Sequence, residues 1–119
     1  MNFENLGLSN QLLIAIKKLG FKDPTEIQLK SIPGIMEGKD IIGESATGSG
    51  KTLAFGCGIV EQVNPKEGLQ ALVLTPTREL AEQVKDAVRE ISSQKNLKII
   101  SVYGGVSISQ QIQIGRAHV

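Results

Sequence analysis

The sequence predicts an α/β domain, in which helices alternate with the strands of a parallel sheet. Four segments repeat their apolar residues at helical spacing, and short continuous apolar runs lie between them, bounded by turn residues. Strands that are separated by helices are joined by right-handed crossovers, which make neighbouring strands parallel. We therefore expect a parallel sheet flanked by helices.

The first two predicted helices precede the first strand. Apolar residues recur at helical spacing over 12–19, and Ser9 or Asn10 is suited to open this helix. A second helix is expected from about Thr25. The pair Pro33-Gly34 should interrupt it, because both residues disfavour a helix interior.

The remaining elements alternate between strand and helix. The last two strand segments are rich in consecutive apolar residues, which suits strands that are covered on both faces. The expected order is a strand over 40–43, a helix over 51–63, a loop over 64–68, a strand over 71–75, a helix over 80–91 and a strand over 98–103.

The run GESATGSGKT, residues 43–52, predicts a phosphate-binding loop between the first strand and the following helix. Its glycines let the backbone wrap round an anion, and the helix directs free N–H groups to the same place. Lys51 supplies a charge for the phosphates of ATP, and the Thr52 hydroxyl is suited to Mg²⁺. Ser45 stands where the general pattern has its first glycine, and the alternative is a glycine-rich surface turn. The predicted ATP-binding residues of this loop are Ser45, Ala46, Thr47, Gly48, Ser49, Gly50, Lys51 and Thr52.

Two further segments accompany the loop: GFKDPTEIQ over 20–28 and PTREL over 76–80. In this order and at these separations the three segments closely resemble the Q motif, motif I and motif Ia of DEAD-box RNA helicases. The resemblance extends from Phe3 to about Gln113. It implies an incomplete RecA-like P-loop domain over 1–113, with the Q motif in 1–29. The chain would supply about half of the first of two such domains.

The predicted adenine site lies in the Q motif. A side-chain amide can both accept from the exocyclic amine of adenine and donate to the neighbouring ring nitrogen, so Gln28 would select ATP over GTP. Phe21 would stack on the adenine. Thr25 is a candidate N-cap, and the resemblance adds contact with the phosphate loop. Phe3, an isolated aromatic upstream of the motif, is a weak member of the adenine site, because such a residue more often serves packing.

The predicted RNA-binding residues are Pro76, Thr77, Arg78, Gly104 and Gly105. Pro76, Thr77 and Arg78 follow a strand, where an open α/β sheet has its ligand crevice. Thr77 and Arg78 could each bind a phosphate of single-stranded RNA, and Thr77 is also a plausible helix cap. The resemblance assigns Gly104-Gly105 a close approach to the RNA backbone, whereas a plain turn is the alternative. Such contacts recognise the backbone and give no sequence preference.

Composition adds few constraints. The formal net charge is +1, from 13 Lys and Arg and 12 Asp and Glu, so RNA binding must depend on local placement of charge. The pair Lys17-Lys18 is interpreted as a solvated helix face. The single cysteine, Cys57, is expected to be small and buried, as in a reducing compartment. With no leader and no membrane span in the sequence, we expect a cytoplasmic protein.

The resemblance predicts an ATP-dependent RNA helicase, a hydrolase acting on ATP that unwinds RNA duplexes. The 119-residue sequence contains no Asp-Glu-Ala-Asp box, whose carboxylates would hold Mg²⁺ and orient the attacking water. By itself the chain should therefore be inactive. A three-strand remnant of the sheet would also expose apolar strand edges, so we expect marginal stability. The alternatives are a non-hydrolysing module that binds ATP or RNA, and another P-loop enzyme such as a nucleotide kinase.

The last six residues, 114–119, depart abruptly from the family pattern. The codons ATC GGA AGA GCA CAC GTC would encode them, and that string resembles a sequencing adapter. We expect a non-native tail here, and His118 receives no catalytic role.

Overall fold

The computed structural model describes residues 2–48 and 50–104. They contain a short 3₁₀ helix, Phe3–Asn5, and four α-helices: α1 (Asn10–Lys18), α2 (Glu26–Met36), α3 (Lys51–Gln62) and α4 (Arg78–Ile91). The order of the four α-helices is the one that apolar periodicity predicts. Among the described residues, no helix is long and apolar enough to cross a lipid bilayer.

Side-chain caps fix where three of the helices begin. The Ser9 hydroxyl accepts from the Leu12 N–H at 3.3 Å, and the Thr77 hydroxyl accepts from the Leu80 N–H at 3.1 Å. Thr25 caps α2 in the same way. These contacts satisfy N–H groups that have no partner within the helix.

Helix α3 lies between α2 and α4, and two glycines allow the close packing. A Cβ on Gly58 would collide with Cγ2 of Ile35 in α2. On another face of α3, a Cβ on Gly56 would lie 2.8 Å from Cδ1 of Ile91 in α4. Cys57, between the two glycines, is fully buried in the core, as predicted.

Helix α2 does not stop at Pro33-Gly34, so the predicted interruption is wrong. The helix continues to Met36 and is followed by Gly38 in the left-handed region, at φ +81°. Inside a helix, proline removes one hydrogen bond and its ring crowds the carbonyl four residues earlier. Packing offsets that loss, because Ile32 is fully buried and Ile35 packs against the core.

The predicted sheet is not formed within the described residues. The segments 40–43, 71–75 and 98–103 have no assigned strand there. The expectation that the second of them is covered on both faces is also wrong, since Leu72 is 78% and Leu74 84% exposed. A helix closes its own hydrogen bonds, whereas a strand needs a partner strand alongside. Apolar sequence alone therefore does not make these segments a sheet.

Candidate functional site

The amide of Gln28 joins the start of α2 to the phosphate loop. Its Oε1 accepts from the Thr25 N–H at 2.9 Å, and its Nε2 donates to the Gly50 carbonyl at 3.2 Å. The side chain is only 1% exposed. In this conformation Gln28 is a buried link between two predicted motifs. Both ends of its amide are already hydrogen-bonded, so recognition of adenine would require these bonds to open, and it stays a prediction.

The position of Gly50 strongly favours glycine. It is the N-cap of α3 in the left-handed region, at φ +94°. A Cβ there would lie 3.0 Å from Cδ of Gln28 and 3.1 Å from Oγ1 of Thr25. Thr25 thus lies against the loop as well as capping α2. Gly48, at φ +81°, gives the loop a second left-handed turn.

Lys51 opens α3 and turns back onto the loop. Its Nζ donates to the Ser45 carbonyl at 2.5 Å, and the residue is exposed. Thr52 follows it, half-buried in the first turn of the same helix. The described residues contain no group of three or more His, Cys, Asp or Glu side chains that could hold a metal ion. The Thr52 hydroxyl is suited to be one oxygen ligand of Mg²⁺, whose other ligands are typically carboxylates, waters and substrate phosphates.

A cavity of about 360 Å³ lies between the first turns of α2 and the loop. It is lined by Thr25, Glu26, Ile27, Lys30, Glu44, Ser45 and Ala46. At its edge Lys30 pairs with Glu26 at 2.7 Å, and this contact lowers the pKa of the Glu26 carboxyl. The cavity has both the loop and the Q-motif segment in its wall.

The two aromatic residues assigned to the adenine site lie in different surroundings. Phe21 is 45% exposed, so its ring is accessible for stacking. Phe3 is 4% exposed and packs in the core, which disfavours its assignment to the adenine site. Ser49 lies outside the described residues.

The predicted RNA-binding segments meet beside the start of α4. Pro76, Thr77 and Arg78 are all exposed. Nη2 of Arg78 donates to the Gly104 carbonyl at 2.7 Å, across 26 residues of sequence. The structure therefore brings the segment after the second predicted strand to the predicted glycine turn. Gly105 lies outside the described residues, as does the segment 114–119.

Sequence analysis missed a polar cluster beside Arg78. The guanidinium of Arg78 lies over the Tyr103 ring, 4.8 Å from its centroid. Oε1 of Glu82 accepts from Oγ of Ser101 at 2.5 Å, and its other oxygen pairs with Nζ of Lys85 at 2.5 Å. The pKa of Glu82 is lowered to about 2, mainly by the hydrogen bond from Lys85 and next by the hydrogen bond from Ser101.

Periodicity could have found this cluster. Arg78 and Glu82 are four residues apart and share a helix face. Ser101 and Tyr103 are two apart and would share one face of an extended segment. A polar pair on each element was the available signal.

Comparison with known proteins points to one protein family. The family model for DEAD/DEAH box helicases matches residues 25–118. The chain is 46% identical over 117 residues to the DEAD-box ATP-dependent RNA helicase CshA of Geobacillus kaustophilus. The alignment covers 98% of this chain and 25% of that protein, so the chain spans about a quarter of its relative's length.

Solved structures give the same result. A DEAD box protein from the hyperthermophile Methanococcus jannaschii superposes with a TM-score of 0.91 at 46% identity, covering 96% of this chain and 32% of that one. S. cerevisiae Dbp5 bound to RNA and ADP BeF3 superposes with a TM-score of 0.78 at 31% identity, covering 90% and 29%.

Proposed function

Because this chain belongs to the DEAD/DEAH box helicase family, we propose that it forms the ATP-binding and RNA-binding part of an ATP-dependent RNA helicase. The observation that supports this most directly is the hydrogen bond from Gln28 Nε2 to the Gly50 carbonyl. It joins the segment proposed to recognise adenine to the loop proposed to hold phosphate. A nucleotide kinase, the other P-loop enzyme considered, is set aside by family membership.

On the ATP side, Lys51 would exchange the Ser45 carbonyl for the phosphates. The present contact is between a cation and a neutral carbonyl, and a phosphate is a stronger acceptor for the same ammonium group. The N–H groups at the start of α3 would bind the same phosphates. Mg²⁺, when bound beside the Thr52 hydroxyl, would offset negative charge on the phosphates. Phe21, exposed, would cover the base.

On the RNA side, Arg78 and the start of α4 would hold two neighbouring phosphates of a single strand. Arg78 is exposed and carries several N–H donors. The first N–H groups of α4 point out of the helix, and its dipole favours an anion there. The relative that was solved with RNA and ADP BeF3 supports the proposal that this chain binds RNA. We expect backbone contacts and little sequence preference.

Hydrolysis and unwinding belong to the proposal for the whole protein. The Asp-Glu-Ala-Asp box that defines the family is absent from these 119 residues. The chain by itself should therefore bind ATP without turning it over appreciably. In the whole protein, ATP and RNA would draw two RecA-like domains together and bend one strand so that a short duplex separates.

The test uses the product of the complete gene that encodes this chain, called here the complete gene product. ATP turnover is measured with and without single-stranded RNA, for the wild type, Lys51→Ala and Lys66→Ala. Lys66 lies on an exposed loop away from the site and is the matched control. We expect RNA-stimulated turnover in the wild type and the control, and its loss in Lys51→Ala.

The other outcomes separate the alternatives. Binding of ATP and RNA without turnover would favour the non-hydrolysing module. Failure of the wild type to bind ATP would overturn the proposal.

A further inference from the structure

Two hydrogen bonds near the start of α4 join this helix to the 98–104 segment. Arg78 donates to the Gly104 carbonyl, and Glu82, one turn further along, accepts from the Ser101 hydroxyl. These pairs hold the turn at Gly104 at a fixed position relative to the start of α4. None of these contacts involves the proposed ATP site.

Tyr103 lies between the two pairs. Its ring supports the Arg78 guanidinium at 4.8 Å, within the range of a cation–π contact. Glu82, which Lys85 and Ser101 hold, lies nearby: these two residues are the main causes that lower the pKa of its carboxyl, and the Tyr103 hydroxyl is the last of the causes. The ring is half-buried, whereas Arg78 is exposed. A half-buried ring thus lies under a charged group that remains open to solvent.

This arrangement restrains an otherwise flexible side chain. A free arginine loses rotamer freedom when it binds a phosphate, and that loss weakens binding. Here the Gly104 carbonyl takes one N–H group and the Tyr103 ring takes one face of the guanidinium. The other N–H groups lie on an exposed residue, where a phosphate can approach.

We propose that Tyr103 is a positioning residue of the RNA site, which holds the Arg78 guanidinium ready for an RNA phosphate. This rests on the proposed function, in which Arg78 binds RNA. Tyr103 acts through Arg78 and does not itself stack on a base. It therefore raises affinity for any single strand, whatever its sequence.

The experiment is a double-mutant cycle on RNA affinity in the complete gene product. The variants are Tyr103→Leu, Tyr103→Phe, Arg78→Ala and the double variant Arg78→Ala/Tyr103→Leu. Val102→Ala is the control, because Val102 is the exposed neighbour in the same segment. Affinity for a short labelled oligouridine is measured from about 50 to 200 mM salt, and ATP affinity is measured on each protein.

We expect Tyr103→Leu to bind RNA about two- to five-fold more weakly than the wild type, because it loses an exposed cation–π contact. Tyr103→Phe, which keeps the ring, should recover most of that loss. Arg78→Ala should lower the slope of log affinity against log salt by about 0.7, the contribution of one phosphate of a single strand. Tyr103→Leu should leave the slope unchanged, and in the Arg78→Ala background it should have no further effect.

Three outcomes would overturn the proposal. An equal loss from Tyr103→Leu with and without Arg78 would mean that the ring contacts RNA itself. Tighter binding by Tyr103→Leu would mean that the ring withholds Arg78 from RNA. An undiminished affinity would mean that it does neither. Failure of the wild type to bind RNA would instead count against the proposed function.

A measurement on the wild type avoids dependence on folding of the variants. The Nε–H resonance of Arg78 should show a ring-current shift from Tyr103 without RNA and keep it when oligouridine binds. Loss of that shift on binding would overturn the proposal even if Tyr103→Leu does not fold.

Discussion

Nε2 of Gln28 lies 3.2 Å from the Gly50 carbonyl oxygen, across 22 residues of sequence. The same amide accepts from the Thr25 N–H, so one side chain fixes the first turn of α2 against the N-cap of α3. Adenine recognition and phosphate binding are therefore proposed for segments that are already in contact without a ligand. The first prediction concerns this link.

Gln28→Ala should destabilise the domain by about 1 to 3 kcal/mol, because it removes the buried Gln28 amide and its two part-buried hydrogen bonds, with Thr25 and Gly50. Urea unfolding of the complete gene product, followed by circular dichroism, measures this loss. Gln11→Ala, at an exposed position of α1, is the control and should change stability by less than about 0.5 kcal/mol. Equal stability of the two variants would mean that the Gln28 link contributes nothing.

Gly50→Ala should destabilise the domain more than Gly38→Ala. Both glycines are in the left-handed region, so each alanine incurs roughly 1 to 2 kcal/mol from its backbone conformation. Only at Gly50 does the new Cβ also meet Gln28 and Thr25; at Gly38 nothing lies within 4 Å. The difference in unfolding free energy should be about 1 to 3 kcal/mol. A smaller loss at Gly50 than at Gly38 would contradict the close contact.

Lys95→Ala should weaken the C-terminal end of α3. Nζ of Lys95 donates to the Val60 carbonyl at 2.5 Å and to the Glu61 carbonyl at 3.4 Å. A cation at this end of a helix contributes about 0.3 to 1 kcal/mol, and salt reduces the effect. Urea unfolding at low and high salt measures it, with the exposed Lys98→Ala as control. Lys95→Arg should restore most of the loss.

Glu82→Gln should flatten the acid limb of the stability curve. Lys85 and Ser101 lower the pKa of Glu82 from 4.5 to about 2. A carboxyl with a depressed pKa contributes stability that is complete above its unfolded pKa and is lost as pH falls towards its folded value. The window therefore runs from about pH 4.5 down to about pH 2. Unfolding free energy measured across it should change less in Glu82→Gln than in the wild type, whereas Glu90→Gln, exposed on the same helix, should resemble the wild type.

Cys57 should be unreactive while the domain is folded. Burial, and to a smaller extent the nearby charge of Glu61, raises the pKa of the Cys57 thiol to about 12. Because the thiolate is the reactive form, the thiol should not react at neutral pH. Iodoacetamide at neutral pH should label Cys57 in urea and leave it unlabelled in native buffer, as mass spectrometry would detect. Rapid labelling of the native protein would show that α3 opens readily.

Local features made the helices predictable. Ser9, Thr25 and Thr77 are caps whose partners lie three residues along the chain, and such contacts depend on sequence spacing alone. The phosphate-loop glycines were predictable for a related reason. Gly48 and Gly50 have left-handed φ values that only glycine adopts at no cost.

Contacts between distant residues were not predictable in the same way. Pro33 stays inside α2 because Ile32 and Ile35 pack against the rest of the core. The sequence left open whether Phe3 packs in the core or belongs to the adenine site, and its burial depends on the residues that pack around it. The predicted strands lack an assigned ladder in the described residues, since partner strands decide whether an apolar run becomes a sheet.

By itself, then, the sequence determined the four helices, the order of the motifs and the likeness to DEAD-box helicases, because these depend on spacing along the chain. Only the tertiary structure decided that Gln28 lies buried against Gly50 and that Tyr103 lies under Arg78. Each of these pairs spans more than twenty residues. A local pattern can show which side chains share a face, but which faces meet depends on how α2 packs against α3 and on where the 98–104 segment lies beside α4.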